Sequence, residues 1–308
     1  MSSPLDAPLS FGIKTVPVGV GYEDLLRVWR EADAIPAVEH AWLWDHLLPL
    51  FGDPGAPAFE GWTLLAVLAA QTRRLQVGLM VASNRIRPPA VHAKMAATLD
   101  VITGGRLAFG IGVGATGGPS TAAGQELADR EFGAYGLELV SPTRGIAALD
   151  EACTIARRLW TEPDPFDFAG ESYMLVGARC EPKPVQRPYP PIVIGAWGRR
   201  TLAVVARHAD IWNVPGPPHN TVAFLRERAA VLDEHCAAIG RDPSSITRST
   251  QVTVSYDDPA ATRGLLAELI DAGFHHLVLG LRSPYPGEVA HWAAAELIEP
   301  TCRQRRPA

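Results

Sequence analysis

The feature that most constrains this chain is a repeated alternation of short apolar segments with longer amphipathic ones. A strand pattern followed by a helix pattern occurs eight times within the 308 residues. The strand segments are apolar on both faces, as parallel strands covered by helices require. A doubly wound sheet alternates in the same way, but eight units in a chain of this length favour closure. We therefore predict an α/β fold, a (β/α)8 TIM barrel that forms one domain over residues 1–308.

The eight units follow one another along the chain with two interruptions. The predicted strands are 11–15, 41–45, 75–82, 106–112, 192–195, 210–213, 246–255 and 276–280. The predicted helices are 22–38, 62–72, 89–102, 144–160, 198–208, 221–239, 259–272 and 287–301. Residues 113–143 lack periodicity and indicate a long loop or lid after strand four. A second insertion, 161–190, precedes strand five and contains a hairpin pattern at 166–175.

Charge and cysteine usage narrow the class of partner. The formal charge of -5 and a pI near 6.0 argue against nucleic acid, which favours a basic face. The four cysteines are widely spaced without a CxxC pair, so we expect neither a metal site nor a disulfide framework. The N-terminus lacks a signal-peptide pattern, and no apolar run approaches the ~20 residues of a membrane span. We therefore expect a cytoplasmic protein with a small-molecule partner, and neither a nucleic-acid nor a membrane partner.

The carboxyl ends of the predicted strands are where a barrel places its active site. Strand two ends in Trp44, Asp45 and His46. A histidine there titrates near neutral pH, and a carboxylate beside it can fix its tautomer. Neighbouring strand residues point to opposite faces, so the pair works only if the backbone turns. Alternatively, Asp45 caps the next segment and His46 bonds to the backbone.

Glycines mark the ends of strands four and five. The run Gly112, Val113, Gly114 allows a planar ring to approach the backbone, or it begins a flexible loop. It does not lead into a helix, so it is a poor dinucleotide-binding motif. Residues 195–198 (Gly195, Ala196, Trp197 and Gly198) do precede a predicted helix, whose N-terminus would attract a phosphate. The chain has no HExxH, GxSxG or P-loop motif, which leaves hydrolase and NTPase functions without support.

Three long segments together resemble the bacterial luciferase-like family of flavin- and deazaflavin-dependent oxidoreductases. They are LWDHLLP at 43–49, the stretch from RLQVGLMVASN to FGIGVG at 74–114, and RPYPPIVIGAWGRRTLAVVARHADIW at 187–212. They occur in the family's order, and both insertions fall where the family carries them. The resemblance implies a barrel with a cofactor ring lying across its mouth.

The resemblance also implies which residues hold that ring. A non-proline cis peptide is expected at Met80-Val81, with Ala82 and Ser83 after it in the cofactor site. Residues 112–114 would flank the ring, and residues 195–198 would receive its phosphate or tail. The pair Asp45 and His46 resembles the branch that uses coenzyme F420. In that branch the aspartate lies near the ring, and the histidine donates or accepts the proton that accompanies the hydride.

The substrate is less constrained. The branch that oxidises glucose 6-phosphate has a glutamate where this chain has Ala115, and lysines are absent near the later strand ends. We therefore expect a neutral or apolar substrate, with the predicted contacts Trp44, Trp197, Trp212 and Arg282.

Three functions stay open on the sequence alone. They are an F420-dependent reductase or dehydrogenase, an FMN-dependent monooxygenase, and a cofactor-binding barrel without catalysis. The family also implies a homodimer.

Overall fold

The computed structural model describes residues 8–50, 52–115 and 122–304. Its strands are β1 (Ser10–Lys14), β2 (His40–Leu43), β3 (Gln76–Leu79), β4 (Ala82–Ser83), β5 (Phe109–Gly112), β6 (Phe166–Ala169), β7 (Met174–Ala178), β8 (Ile192–Gly195), β9 (Ile211–Val214), β10 (Thr247–Thr253) and β11 (His276–Gly280). Its α-helices are α1 (Tyr22–Ala34), α2 (Gly61–Ala70), α3 (Pro89–Thr103), α4 (Ala122–Ala134), α5 (Pro142–Thr161), α6 (Arg199–His208), α7 (Val222–Ala238), α8 (Pro259–Asp271), α9 (Val289–Ala293) and α10 (Glu299–Arg303).

Nine parallel segments form one sheet, in the order β3-β2-β1-β11-β10-β9-β8-β5-β4. Segments β3 and β4 are two halves of one strand, separated only by Met80 and Val81. The sheet closes because β4 pairs with β5 and a parallel bridge joins Val77 to Leu107. The nine segments therefore make eight barrel strands, and the predicted TIM barrel is confirmed.

The two insertions differ from each other in structure. The second contains the antiparallel pair β6-β7, as its sequence pattern predicted. The first contains helix α4, where we expected a loop or lid. Ala128, Glu131 and Phe132, spaced as neighbours on one helix face, are all buried. This face packs against the loop that follows β2, where Glu131 receives hydrogen bonds from its backbone. Residues 116–121 of the predicted loop lie outside the described residues.

Side chains alternate between the helix layer and the barrel interior. In β1, Phe11 and Ile13 belong to the large core between sheet and helices. Gly12 faces inward, because a Cβ there would overlap the His40 ring. A second, smaller core that includes Trp42 fills the inside of the barrel. No helix in the described part of the chain is both long and apolar enough to cross a membrane.

Candidate active site

The carboxyl-terminal edge of the barrel strands, here called the mouth, gathers most of the predicted site. Ser83 of β4 lies in register with Gly112 of β5, and Gly112 with Gly195 of β8. Gly195 in turn is in register with Asn213 of β9. Residues from three of the predicted site segments are thus neighbours in one row of the barrel.

His46 lies just beyond β2 and is held by a carboxylate that the sequence did not point to. Its Nδ1 is 3.1 Å from Oε2 of Glu131, whose side chain is almost fully buried. The other oxygen of Glu131 accepts hydrogen bonds from the backbone N–H groups of Leu47 and Leu48, at 2.6 and 3.3 Å. Burial alone would raise the pKa of Glu131, but the bonds from His46, Leu47 and Leu48 hold it below its ordinary value.

The ionised Glu131 determines the state of the His46 ring. A carboxylate only accepts hydrogen bonds, so the proton of the neutral ring lies on Nδ1. The opposite nitrogen, Nε2, has no hydrogen-bond partner among the described residues, and the side chain is one-third exposed. His46 therefore presents a proton-accepting or proton-donating nitrogen away from its carboxylate.

Asp45 does not form the pair with His46 that we predicted. Its carboxylate is fully buried and bonds to the Arg87 guanidinium at 2.9 Å and to the Ser83 N–H at 3.0 Å. Arg87 also pairs with Glu60. Asp45 and His46 are adjacent in the sequence, but their side chains bond to different partners. The predicted Asp45–His46 pair is therefore wrong, and Asp45 instead connects the segment after β2 to Ser83, the last residue of β4.

Arg87 does not fully offset the desolvation of Asp45. Burial raises the pKa of Asp45, and the Arg87 guanidinium opposes that shift. Both carboxylate oxygens accept hydrogen bonds within the protein, and the predicted place of Asp45 near the cofactor ring stays a proposal.

The cis peptide expected at Met80-Val81 is present. The Val81 side chain lies across the barrel among glycines of the neighbouring strands. A Cβ on Gly112 would fall 2.7 Å from a Val81 methyl carbon, and one on Gly195 would fall 2.9 Å from it. Glycine at both positions makes room for Val81, which is itself partly exposed at the mouth. Met80, by contrast, is buried in the small core inside the barrel.

Beyond the end of β5 the chain turns at Gly114. Its φ is +79°, and a Cβ there would fall 2.2 Å from the Ser83 hydroxyl. Glycine is therefore required at this position both for backbone conformation and for space. Asn84, which follows Ser83, is a buried polar residue. Oδ1 of Asn84 is buried without a donor in the described part of the chain, although its amide nitrogen donates to Tyr173.

Helix α6 begins at the mouth, as predicted. Gly198 is its N-cap and offers no side chain to the first N–H groups of the helix. Ala196 is buried in the core, whereas Trp197 is 43% exposed and stacks on His219 with ring centroids 4.7 Å apart. The start of α6 can therefore receive an anionic group, and Trp197 offers an aromatic face beside it.

The predicted substrate contacts separate into three environments. The Trp44 ring meets His46 edge-on at 5.4 Å, so it stays in the site. Arg282 follows β11 and is exposed. Trp212 is fully buried, donates its indole N–H to the Ala196 carbonyl and packs on the helix side of β9. The prediction that Trp212 lines the substrate site is wrong, because its position in β9 points the ring away from the interior.

Glu131 and Arg87 are the residues that sequence reasoning missed. Glu131 is 85 positions from His46. The spacing of Ala128 and Phe132 could have indicated a helix there, but nothing local indicates which face of α4 meets β2. In the described ranges, no group of three or more His, Cys, Asp or Glu side chains could hold a metal ion.

Residues 12–301 match the sequence profile of the family described as luciferase-like monooxygenase. A phthiodiolone/phenolphthiodiolone dimycocerosates ketoreductase of Mycobacterium kansasii is 33% identical over 214 residues, which are 68% of this chain and 49% of that protein. The match thus spans about half of the ketoreductase. An F420-dependent glucose-6-phosphate dehydrogenase of Amycolatopsis mediterranei is 30% identical over 251 residues, covering 81% of this chain and 70% of that enzyme.

Among solved structures, the fold is similar to that of an F420-dependent secondary alcohol dehydrogenase in complex with an F420-acetone adduct. The TM-score is 0.80 at 17% sequence identity, with 96% of this chain and 99% of that chain covered. At this identity the likeness shows the fold alone.

Proposed function

The chain belongs to the luciferase-like monooxygenase family, and on that premise we propose that it is an F420-dependent oxidoreductase. It would transfer a hydride between the deazaflavin and a small organic substrate. The observation that carries this proposal is the His46–Glu131 pair at the mouth, which leaves one imidazole nitrogen available for proton transfer.

Three features of the mouth fit a flat cofactor with a phosphate-bearing tail. Gly112 and Gly195 leave Val81 as an apolar surface at the centre of the mouth. The start of α6 has N–H groups without a side-chain cap, which suits a phosphate. Asn84 has a buried oxygen that a ring N–H could satisfy. We therefore propose that residues 80–83, 112–114 and 195–198 hold the cofactor.

When bound, F420 would supply the carbon that carries the hydride. The deazaflavin itself reacts poorly with oxygen. The chain's own contribution is to orient the reactants and to move the proton. His46 would accept the proton of a substrate hydroxyl at Nε2 during oxidation and return it during reduction. Glu131 would keep Nδ1 protonated throughout and stabilise the imidazolium form. Trp44 would pack against an apolar part of the substrate.

The cofactor is tested by titrating purified protein with F420 and, separately, with FMN while following fluorescence. We expect F420 to bind and FMN to bind far more weakly. Tight FMN binding without F420 binding would overturn the proposal in favour of an FMN-dependent monooxygenase. As a control, we expect the Gly195→Val variant to lose F420 binding, because its larger side chain collides with Val81 at the proposed cofactor surface.

The reaction is tested by supplying F420 together with a panel of alcohols and reduced F420 with the matching ketones. We expect turnover with at least one pair, followed at the deazaflavin absorbance. F420 binding without turnover of any pair, and with His46→Ala indistinguishable from wild type, would indicate a cofactor-binding barrel without catalysis.

We also propose a homodimer that forms through the outer surfaces of α2 and α3. These helices expose Val67, Val91 and Ile102, which are 42%, 46% and 60% accessible. Light scattering of wild type and Ile102→Arg tests this, and a monomeric wild type would refute it. The cytoplasmic location stays a prediction.

A further inference from the structure

Lys14, the last residue of β1, is a cationic side chain inside the barrel. It lies in register with Gly280 of β11 on one side and with Trp42 of β2 on the other. Its neighbour Ile13 faces the helix layer and is fully buried, so Lys14 faces the interior. The residue nevertheless keeps some exposure. Since the strands enclose it on both sides, that exposure is toward the mouth.

The ammonium of Lys14 donates a hydrogen bond to a neutral side-chain amide, that of Gln251, whose orientation is fixed by further hydrogen bonds. Lys14 Nζ donates to Oε1 of Gln251 at 2.8 Å. Gln251 Nε2 donates to Oδ1 of Asn213 at 2.8 Å, and Asn213 Nδ2 donates to the Ser249 hydroxyl at 2.8 Å. Ser249 meets Nδ1 of His276, also at 2.8 Å. This chain of neutral groups fixes the Gln251 carbonyl toward Lys14.

The charge of Lys14 is uncompensated. No carboxylate in the described ranges forms an ion pair with it, and burial lowers its pKa from 10.5 to about 8. A lysine ammonium has three donors, and one of them is satisfied by Gln251. Burying a charge without a partner is costly, and proteins ordinarily pair such groups. A group from outside the chain would remove that cost.

We propose that Lys14 is the counter-ion for an anionic oxygen, a carboxylate, on the substrate. The proposal rests on the proposed function, which places the cofactor over the half of the mouth built by β4, β5 and β8. The other half, built by β1, β9, β10 and β11, is left for the substrate, and Lys14 lies there beside Gln251 and Asn213. A single positive charge matches a carboxylate better than a phosphate dianion.

This assignment revises the neutral or apolar substrate that we expected from the sequence. That expectation was based on the absence of lysines from the later strands. Lys14 belongs to the first strand, and the closed barrel brings that strand next to the last one. The substrate would then combine an apolar part against Trp44 with a carboxylate at Lys14.

The chain has only three lysines, Lys14, Lys94 and Lys183, which makes a direct test feasible. Reductive methylation with ¹³C-formaldehyde keeps each positive charge and gives each lysine its own NMR signal, and Lys14→Arg identifies the one from Lys14. The titration midpoint of Lys14 is then followed with benzoate and with its neutral counterpart benzamide. We expect benzoate to raise the midpoint by about one pH unit, a tenfold preference for the charged amine, and benzamide to leave it unchanged.

Calorimetric titration of unmethylated protein with benzoate gives a second measurement that does not depend on labelling. Lys14→Met should weaken benzoate binding at least about tenfold, whereas Lys14→Arg should largely retain it. Equal shifts with benzoate and benzamide, no shift with either, or a larger shift with inorganic phosphate would each overturn the proposal.

The same samples separate this proposal from the proposed function. F420 binding is read by fluorescence without benzoate. A protein that binds benzoate at Lys14 but not F420 would refute the proposed function and keep the carboxylate site. If the protein binds F420 and Lys14→Met does not change its affinity for benzoate, the carboxylate site is refuted and the proposed function is kept.

Discussion

The two ends of the barrel interior both contain histidines, in opposite environments. At the bottom, His40 and His276 stack at 3.9 Å with nearly parallel rings, and Trp42 donates to His40 Nδ1 at 2.6 Å. Burial lowers the pKa of His276 to about 4 and that of His40 well below its ordinary value. At the mouth, His46 is partly exposed and has Glu131 as its partner.

The comparison shows what separates a structural histidine from one suited to proton transfer. The bottom pair stays uncharged, because protonating either ring would place a cation beside another ring in a dry interior. Each ring there has a buried Nε2 without a described partner. His46 has two features that the bottom pair lacks, namely an accessible nitrogen and a hydrogen-bonded carboxylate partner.

The largest effect should come from removing the histidine at the mouth. His46→Ala should lower the rate of hydride transfer by about 10²- to 10⁴-fold, the usual contribution of a general acid or base. It should also cost about 1–3 kcal/mol of stability, because it removes one hydrogen bond from the nearly buried Glu131 carboxylate. Stopped-flow absorbance of the deazaflavin measures the rate, and urea unfolding measures stability.

His276→Ala is the matched control at the bottom. It removes the stack on His40 and one of the two hydrogen bonds of the Ser249 hydroxyl, which should cost about 1–3 kcal/mol of stability. Because His276 is linked to the mouth through Ser249 and Asn213, the rate of hydride transfer should fall, but far less than with His46→Ala. If His276→Ala abolished turnover while His46→Ala did not, our distinction between the two ends would be wrong.

A second prediction sharpens the comparison within the mouth itself. Asp45→Ala should destabilise the protein by about 1–3 kcal/mol, since it leaves the Ser83 N–H without its acceptor and Arg87 with Glu60 as its remaining carboxylate. Glu162→Gln, which breaks the exposed pair with Arg158, is the control and should have no measurable effect. Thermal unfolding of the two variants and of wild type measures these effects. An Asp45→Ala variant as stable as wild type would contradict the structural role of Asp45.

Lys14→Met tests whether the mouth contains an unpaired buried charge. The folded pKa of about 8 lies below the unfolded value of 10.5, so the unfolded chain binds more protons between these values and native stability rises with pH there. Lys14→Met should therefore be more stable than wild type below pH 8, by on the order of 1–3 kcal/mol. The difference in stability between the two proteins should disappear as the pH rises to 10.5. A difference that does not change with pH would exclude the charge of Lys14 as its cause.

The smallest effect concerns acid stability. Glu131 has a pKa below its ordinary 4.5, so its contribution to stability is fully present above that pH and is lost as pH falls through the folded pKa. Glu131→Gln should remove this pH dependence, with a difference of about 1 kcal/mol or less. Urea unfolding of both proteins from about pH 6 to about pH 3 measures it. Parallel pH profiles would refute the prediction.

Periodicity predicted the barrel well because strand and helix patterns are local properties of the sequence. Strands 192–195 and 276–280 were predicted with the bounds that the structure has. The third strand was predicted as one piece over 75–82, but it is interrupted at Met80 and Val81. The resemblance to the family, rather than periodicity, pointed to that interruption.

The site was harder to predict because its partners come from distant elements. His46 was found from its place at a strand end, but the carboxylate assigned to it was the adjacent Asp45. Side chains alternate along an extended chain, so the adjacent residue is the one least able to help. The prediction for Trp212 was wrong for a related reason. Side chains in a strand alternate between two faces, and the sequence alone did not show which face Trp212 occupies.

Helix α4 connects His46 to a part of the chain that the barrel itself does not require. Insertions between barrel strands are where members of one fold differ most readily. In this protein, replacing the first insertion would also replace Glu131 and leave His46 without its tautomer control. An engineered exchange of that segment therefore has to carry a carboxylate with it.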